Sequence, residues 1–259
     1  NQKKADDITN QADIIFLLDF SQISRIDNFG ETVQISNAKK VMIDHHHGAD
    51  NSIAELIYVD TSASSTAQLV YELIEAMGME NMIDKKIAEC LYLGIMTDTG
   101  SFKYPSTTNK THEVTAKLIN TGIDNAKIHD LIYDNSSENR IKLLGYCLNK
   151  KLRLYLDKKS AIISLDAKEL KEFGFKNGDT EGFVNYALAI KGIKFAAFVA
   201  EKEGIVKLSL RSKGNLKVNE IAKQYFNGGG HINAAGGVSQ VSVNETIKKI
   251  EEIINNLKL

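Results

Sequence analysis

The stretch that decides the fold is "VMIDHHHGAD", residues 41–50, in which three apolar residues lead directly into one aspartate and three histidines. A short apolar run of this kind is typical of a buried parallel strand. The segment "ADIIFLLDFS", residues 12–21, has the same pattern and ends in Asp19 and two further residues. Because open α/β sheets bind ligands at the carboxyl ends of their strands, both segments predict polar side chains at one ligand-binding edge.

Apolar residues at helical spacing follow the two predicted strands. They predict helices over residues 64–79, 84–102, 109–122 and 136–150, the second of which breaks at Asp98-Thr99-Gly100-Ser101. From residue 151 the pattern alternates, which predicts a hairpin over 151–166 and a strand pair over 193–214 with a turn at Glu203-Gly204. A helix that runs into a glycine-rich loop is predicted within 218–237, and an amphipathic helix over 244–259.

The change of periodicity predicts an α/β protein of two domains. We expect a parallel-sheet domain over residues 1–148 that ends in a linker helix, and a smaller α/β domain with a mixed sheet over 149–259. No apolar run reaches the roughly 18 residues of a membrane span, and no segment resembles a signal peptide. We therefore expect a cytoplasmic protein with no membrane partner, in which Cys90 and Cys147 are reduced thiols.

The net charge of −1 hides an asymmetry between the two halves. Residues 1–140 carry 12 Lys and Arg against 21 Asp and Glu, whereas residues 141–259 carry 20 against 12. Clustered carboxylates suit divalent cations and a basic surface suits an anionic substrate. Charge alone is also compatible with solvated helix faces, so the asymmetry only supports the motifs.

Five side chains that bind metals in proteins stand at the predicted ends of these elements: Asp19, Asp44, His45, His46 and Asp98. Hydrolysis at two metal ions needs several carboxylates and imidazoles that converge, with one oxygen able to bridge the ions. Imidazole together with carboxylate suits Mn²⁺ better than Ca²⁺. Because burying such groups without a partner costs several kcal/mol, the cluster favours a ligand site.

Strand alternation limits which of these residues can act together. It places Asp44 and His46 on one side of the chain and His45 and His47 on the other, so not all four serve one metal equally. We expect His47 to face solvent and to have no role.

Single residues of the first half also have simpler interpretations. Asp19 alone is compatible with a helix N-cap or a turn, and Asp98 with a cap of the "DTGS" turn. His112 and His129 lie on helical patterns, and we interpret both as surface residues.

The second half contains "NGGGHINAAGG", in which Gly228, Gly229 and Gly230 precede His231. Glycines let the backbone approach a ligand closely, and successive N–H groups can then point at an anion. A glycine-rich turn between a helix and a strand explains the same residues without a ligand. The embedded histidine makes a phosphate-binding role the stronger interpretation.

The strand "GIVKLSLRSKG", residues 204–214, alternates between apolar and polar residues. Ser209 and Arg211 lie on the face opposite to the apolar residues, where a guanidinium can hold a phosphate with two hydrogen bonds. The chain has no long basic stripe with interleaved aromatics, which favours a substrate of a few nucleotides over a long polymer.

Together these motifs resemble the DHH phosphoesterase superfamily. "LLDFS", "IDHHH" and "GIMTDTGSF" are similar to motifs of its catalytic domain, and "SLRSKG" and "NGGGHINAAGG" to motifs of its C-terminal associated domain. The resemblance covers almost the whole chain in the same order. With "EGFVN" at 181–185, it is strongest to the bacterial oligoribonuclease and 3′-phosphoadenosine 5′-phosphate phosphatase branch.

The resemblance implies two bound Mn²⁺ ions, with Mg²⁺ as the alternative ion. It implies that Asp19 bridges the ions, that His45 and Asp98 complete the second site, and that His46 acts on the scissile phosphate. Asp44 would be a metal ligand or would orient one. The substrate phosphates would be held by the second half, through Ser209, Arg211, Gly228, Gly229, Gly230 and His231.

One family motif is missing from this sequence. The family opens with a His-x-x-x-Asp-x-Asp stretch that supplies the first metal site, whereas this sequence starts with "NQKKADDITN". Asp6, Asp7 and Asp13 do not have the spacing to replace it. We therefore expect an N-terminally shortened chain that holds the second metal weakly, the first hardly at all, and is weakly active or inactive.

The sequence thus predicts a hydrolase of the DHH type that degrades short oligoribonucleotides to mononucleotides and 3′-phosphoadenosine 5′-phosphate to AMP. The partners would be short single-stranded RNA or nucleotide phosphates, and a homodimer is implied by the resemblance. Hydrolysis of cyclic or linear dinucleotides is the enzymatic alternative. A non-catalytic nucleotide-binding module is the alternative from another class, because of the missing motif.

Overall fold

Residues 2–202 and 204–257 are described by the structure, which is a computed structural model. Glu203, in the predicted 203–204 turn, and residues 258–259, in the predicted last helix, lie outside this part of the chain. The chain divides into two units, residues 1–135 and residues 136–259.

The first unit contains a parallel sheet of three strands, β1 (Ile14–Leu18), β2 (Lys39–Asp44) and β3 (Leu56–Val59). β2 lies in the centre of this sheet. The helices are α1 (Gln2–Gln11), α2 (Phe29–Ile35), α3 (Thr66–Ala76), α4 (Lys85–Asp98), α5 (Asn109–Ile119) and α6 (Asn125–Tyr133).

β2 is buried on both faces, as a central parallel strand should be. Met42 packs with Leu17 and Val33 on one face, and Ile43 packs with Leu69 on the other. A further core joins α3, α4 and α5 through buried aliphatic and aromatic side chains. These contacts fix the carboxyl end of β2, where Asp44 lies.

β1 is less buried than its apolar sequence predicted. Ile14, Phe16 and Leu18 are 52%, 54% and 43% exposed, whereas Leu17 is buried. β1 is an edge strand of the described sheet, and its alternate residues share one face. Within the described residues, the prediction of a buried strand is therefore wrong for β1, apart from Leu17.

The second unit contains a six-stranded sheet. Its strands are β4 (Leu152–Tyr155), β5 (Ser160–Leu165), β6 (Phe195–Lys202), β7 (Ile205–Ser212), β8 (Gly229–His231) and β9 (Ala234–Ser239). The spatial order is β4-β5-β6-β7-β9-β8, and within the described part of this sheet only β5 and β6 pair in parallel. The helices are α7 (Glu138–Tyr146), α8 (Ala167–Glu172), α9 (Phe183–Ala189), α10 (Val218–Tyr225) and α11 (Val243–Asn256).

Both faces of this sheet carry helices. On one face Ala197 and Leu208 pack with residues of α10 and α11, and on the other Phe198 packs with Phe183 of α9. A parallel sheet in the first unit and a mixed sheet in the second confirm the predicted α/β class. No helix in the described part of the chain is long and apolar enough to cross a membrane.

The division between the units lies between Asn135 and Ser136, not near residue 148 as the change of periodicity predicted. The reason is the packing of α7. Leu143 and Cys147 are buried in the core on one face of the second unit's sheet, with Ile163 as one of their neighbours. The predicted linker helix is therefore part of the second unit.

The segment predicted as a glycine-rich loop is a β-hairpin of β8 and β9. Glycine permits it because the backbones approach each other closely. A Cβ atom at Gly228 would lie 2.0 Å from the carbonyl oxygen of Gly236, and one at Gly237 would lie 2.7 Å from that of Phe226. The prediction of a loop was wrong because these glycines bring two strands of the same sheet close together, rather than a turn close to a ligand.

Candidate metal centre and phosphate-binding surface

Asp44, the last residue of β2, directs the chain that follows it. Its buried Oδ1 accepts the backbone N–H groups of His45 at 2.8 Å and of His46 at 3.2 Å. These bonds turn the chain directly after the strand, so strand alternation stops at Asp44. The prediction that His45 and His46 lie on opposite sides was therefore wrong. Their ring centroids are 4.7 Å apart in an edge-to-face arrangement.

Asp19 follows β1 with a φ of 67°, and its N–H donates to the carbonyl oxygen of Ile43 at 3.2 Å. This bond ties Asp19 to the end of the neighbouring β2. The Oγ1 of Thr66 donates to Asp19 Oδ1 at 2.7 Å. Thr66 begins α3, whose N-cap is the buried Ser65. No local sequence pattern indicated Thr66, because its partner lies 47 residues earlier in the chain.

Asp98, the last residue of α4, completes the cluster. The Nε2 atom of His45 lies 3.7 Å from Asp19 Oδ1 and 3.7 Å from Asp98 Oδ2. The Nδ1 atom of His46 lies 4.0 Å from the same Asp19 oxygen. Asp19 therefore lies next to both imidazoles, and the five residues predicted from the sequence meet at one place. His47 is exposed, as expected.

Hydrogen bonds orient the two imidazoles differently. The Nδ1 of His45 lies 3.4 Å from the carbonyl oxygen of Ala63, which makes Nδ1 the protonated nitrogen and turns the Nε2 lone pair toward the two carboxylates. The Nδ1 of His46 instead lies 2.7 Å from Asp44 Oδ1. A histidine held through one nitrogen by a backbone carbonyl or a carboxylate is the usual arrangement around protein-bound metals.

The local charges shift the pKa values of three of these groups. Desolvation acts to raise the pKa of Asp44, but the hydrogen bonds and charge of His46 and the backbone bonds lower it overall. The bond to Asp44 raises the pKa of His46 above its ordinary value, against partial desolvation. Desolvation also raises the pKa of Asp98; His45 opposes this rise and Asp19 adds to it.

The donor set fits a divalent transition-metal ion. One ligand atom from each of Asp19, His45 and Asp98, or of Asp19, Asp44 and His46, lies within 4.8 Å of the others. Among the described residues, Oδ2 of Asp44 is buried and no donor contacts it. Mixed carboxylate and imidazole ligands favour Mn²⁺, Fe²⁺ or Zn²⁺ over Ca²⁺. The residues present therefore fit a metal ion.

The chain directly after Asp98 adopts an uncommon conformation. Gly100, Ser101 and Phe102 have φ values of 57°, 60° and 64°, so three successive residues are left-handed. For a residue other than glycine this conformation costs about 1–2 kcal/mol. Such strain persists only where neighbouring contacts hold it, and it is concentrated at functional sites.

The second unit presents two rows of residues on the open face of its sheet. Strand pairing aligns Ser209, Gly236 and Gly229 in one row. A Cβ atom at Gly229 would meet nothing within 4 Å, and one at Gly236 would lie 3.4 Å from the carbonyl oxygen of Leu208. The two glycines of this row therefore leave space above the sheet for a ligand to approach the backbone. The N–H of Gly228 donates to the carbonyl oxygen of Ala222 at 3.1 Å and so does not point at a ligand, contrary to the prediction for that glycine.

The second row consists of Arg211, Ala234 and His231, again aligned by strand pairing. Arg211 is half-buried, and its Nη1 donates to the carbonyl oxygen of Leu210 at 3.0 Å. His231 is exposed, two strands away, which corresponds to roughly 10 Å between the backbones. Ser209, Arg211, Gly229 and His231 thus share one face of β7, β9 and β8. Gly230 lies in the row of Leu210 and Ala235 on the opposite face, contrary to the prediction for that glycine.

Comparisons with known proteins agree with this geometry. Residues 1–95 match the DHH family N-terminal domain, and residues 158–256 match the DHHA1 domain. The chain is 32% identical over 234 residues to the bifunctional oligoribonuclease and PAP phosphatase NrnA of Bacillus subtilis, which covers 90% of this chain and 72% of that protein. It is 31% identical over 221 residues to the cyclic-di-AMP phosphodiesterase GdpP of the same organism, covering 83% of this chain and 32% of that protein.

Among solved structures, an exopolyphosphatase-related protein from Bacteroides fragilis is similar, with a TM-score of 0.94 and 39% identity. The match covers 98% of this chain and 74% of that one. These similarities confirm the resemblance that the sequence motifs indicated. The chain therefore belongs to the DHH family of phosphoesterases, and it joins a DHH N-terminal domain to a DHHA1 domain.

Proposed function

We propose that this protein is a Mn²⁺-dependent phosphoesterase that hydrolyses short oligoribonucleotides to mononucleotides and 3′-phosphoadenosine 5′-phosphate to AMP. The observation that carries the proposal is the convergence of Asp19, His45 and Asp98, with Asp44 and His46 beside them. The similarity to the Bacillus subtilis oligoribonuclease and PAP phosphatase supports the substrate class. Mg²⁺ is the alternative ion.

In this proposal Asp19, His45 and Asp98 would hold one ion, and Asp19 would also serve a second. Bound Mn²⁺ supplies an activated water and neutralises negative charge as the phosphate ester is cleaved. The carbonyl oxygen of Ala63 accepts the Nδ1 proton of His45, which leaves Nε2 of that ring available to bind the ion. The Thr66 hydroxyl donates to Oδ1 of Asp19 and limits the rotation of the Asp19 carboxylate.

His46 has a separate task, because its Nδ1 is held by Asp44. The raised pKa keeps this imidazole protonated to higher pH than an ordinary histidine. A protonated imidazole stabilises the negative charge that develops on a phosphate oxygen in the transition state. We assign His46 to the scissile phosphate and Asp44 to the orientation of His46.

For the second unit we propose a separate role, the binding of a phosphate or nucleoside on the open face of its sheet. Arg211 and His231 supply positive or hydrogen-bonding groups, and Ser209 supplies a hydroxyl on the adjacent row. Gly229, above which a Cβ atom would meet nothing within 4 Å, lets a phosphate approach the backbone closely. The small extent of this surface favours a substrate of a few nucleotides.

The test is Mn²⁺-dependent hydrolysis of an RNA dinucleotide by this chain, beside a longer version that carries a His-x-x-x-Asp-x-Asp segment ahead of residue 1. Asp98→Asn should abolish hydrolysis in whichever version is active, since it removes a charged ligand. Asp50→Asn, an exposed carboxylate beyond the histidines, is the matched control and should leave the rate unchanged. Full activity of Asp98→Asn would show that our assignment of ligands is wrong.

If neither version hydrolyses the dinucleotide while both bind nucleotide, a non-catalytic binding module becomes the better proposal. The same preparations test the expected homodimer by analytical ultracentrifugation. Activity on long single strands comparable to that on dinucleotides would contradict the proposed substrate length.

Hydrolysis of cyclic or linear dinucleotides is a second candidate, which the similarity to the cyclic-di-AMP phosphodiesterase favours. The two candidates differ in the substrate that must fit beside Arg211 and His231. Values of kcat/KM for cyclic-di-AMP, a linear RNA dinucleotide and 3′-phosphoadenosine 5′-phosphate, measured side by side, separate them. We expect the linear dinucleotide to be preferred over the cyclic one.

A further inference from the structure

The strained turn after Asp98 is tied to α6 by a hydrogen bond between Ser101 and His129. The Oγ of Ser101 lies 3.0 Å from Nε2 of His129. The other nitrogen of this ring, Nδ1, lies 2.9 Å from the carbonyl oxygen of Asn125. Because a carbonyl oxygen only accepts, Nδ1 carries the proton and Nε2 is the acceptor, so the Ser101 hydroxyl donates.

The ring of His129 is itself held in place. Its centroid lies 6.0 Å from that of Tyr92 and 5.9 Å from that of Tyr133. Tyr92 is a buried residue of α4, the helix that ends at Asp98. The imidazole of His129, a residue of α6, therefore packs beside Tyr92 of α4. The sequence indicated only a surface histidine.

Ser101 connects His129 to the end of α4 through backbone hydrogen bonds. Its N–H donates to the carbonyl oxygen of Met96 at 2.8 Å, and the N–H of Phe102 donates to Thr99 Oγ1 at 2.9 Å. The same Thr99 oxygen donates to the carbonyl oxygen of Ile95 at 2.7 Å. The last turn of α4 and the left-handed turn thus form one bonded unit, and Asp98 lies within it.

We propose that His129 is a positioning residue of the metal centre, which acts through Ser101 to hold Asp98 in the orientation that a bound ion needs. The inference rests on the proposed function, because it requires the cluster to bind a metal. It adds two residues, His129 and Ser101, to which the proposed mechanism assigns no role.

The test uses two substitutions, each of which places an amide at the position of one of the two ring nitrogens. His129→Gln places an amide near Nε2 and retains an acceptor for Ser101, whereas His129→Asn places one near Nδ1 and retains only the bond to Asn125. Mn²⁺ affinity is measured from the electron paramagnetic resonance signal of free Mn²⁺. Thermal unfolding midpoints are measured in parallel to separate positioning from loss of folding.

We expect His129→Asn and Ser101→Ala each to weaken Mn²⁺ binding by about threefold to tenfold, which corresponds to one ordinary hydrogen bond. His129→Gln should bind almost as tightly as the unsubstituted chain. The double variant Ser101→Ala/His129→Asn should bind no more weakly than either single variant, since both remove the same bond.

Equal loss in His129→Gln and His129→Asn, or losses that multiply in the double variant, would overturn the inference. If the unsubstituted chain binds Mn²⁺ and all variants bind it equally well, the inference fails while the metal centre stands. If the unsubstituted chain and its longer version bind no Mn²⁺, the metal centre fails and the inference fails with it.

Discussion

The Oδ1 atom of Asp44 lies 2.7 Å from Nδ1 of His46, and the same oxygen accepts the backbone N–H groups of His45 and His46. One buried oxygen thus turns the chain at the end of β2 and orients an imidazole. The geometry explains why an aspartate precedes the histidines, since an apolar residue there could do neither. It also leaves Oδ2 of Asp44 buried at the edge of the cluster.

The pKa of His46 should fall in Asp44→Asn. In the unsubstituted chain the bond to the Asp44 carboxylate is the largest influence, and it raises this pKa. An uncharged amide cannot stabilise the protonated ring to the same degree. The measurement is an NMR titration of the His46 ring in metal-free protein. Asp50→Asn is the control, and an unchanged His46 titration in Asp44→Asn would contradict the assignment.

The contribution of this pair to the stability of the metal-free chain should depend on pH in a defined window. The His46 part is fully present below its ordinary pKa of 6.5 and is lost as pH rises through the raised value. The Asp44 part is present above its ordinary pKa of 3.8 and is lost as pH falls through the lowered value.

Urea unfolding of the unsubstituted chain and of Asp44→Asn should therefore differ more at about pH 5.5 than at about pH 8.5. The measured quantity is the difference in the free energy of unfolding between the two proteins. A difference that grows with pH would contradict the raised pKa of His46.

Thr66→Val should weaken metal binding without a large loss of stability. Valine has the shape of threonine but cannot donate to Asp19 Oδ1, so Asp19 gains freedom to rotate. We expect Mn²⁺ affinity to fall by roughly tenfold, which is the low end for residues that support metal ligands. Thr97→Val is the control, because this residue is exposed and its hydroxyl donates to the carbonyl oxygens of Leu93 and Gly94 in its own helix. Equal effects of the two substitutions would contradict a role for Thr66.

Substitution by alanine should affect the folding stability of two neighbouring glycines differently. A Cβ at Gly228 would lie 2.0 Å from a backbone oxygen, so Gly228→Ala should lower the free energy of unfolding by about 1–3 kcal/mol or more. A Cβ at Gly229 meets nothing within 4 Å, so Gly229→Ala should fold normally. If the open row receives a phosphate, Gly229→Ala should still weaken nucleotide binding, measured by calorimetry. Normal stability of Gly228→Ala would contradict the close packing of the hairpin.

Local sequence patterns predicted much of the candidate site. Asp19, Asp44 and Asp98 each stand where an apolar run ends, and an apolar run followed by a polar residue marks the end of a buried element. The motif order around Arg211 and His231 also indicated a second, substrate-binding part. These signals are readable because strand and helix periodicity act over a few residues.

Other features were decided by contacts between residues far apart in the chain. His45 and His46 both lie near Asp19 for two reasons. Asp44 turns the chain after β2 and so ends the strand alternation, and β1, which precedes Asp19, pairs with β2. Thr66 reaches Asp19 across 47 residues, and Ser101 reaches His129 across 28. The position of the division between the units depends on which core buries α7.

The sequence by itself determined the α/β class, the family and the set of candidate metal ligands, because these depend on short-range periodicity and on residue type at fixed spacing. Only the tertiary structure decided which candidate ligands lie close together, which residues orient them and where glycine is required for close packing. Those properties depend on the distances between elements, which are set when the apolar faces of Leu17, Met42 and Ile43 find their partners in the core.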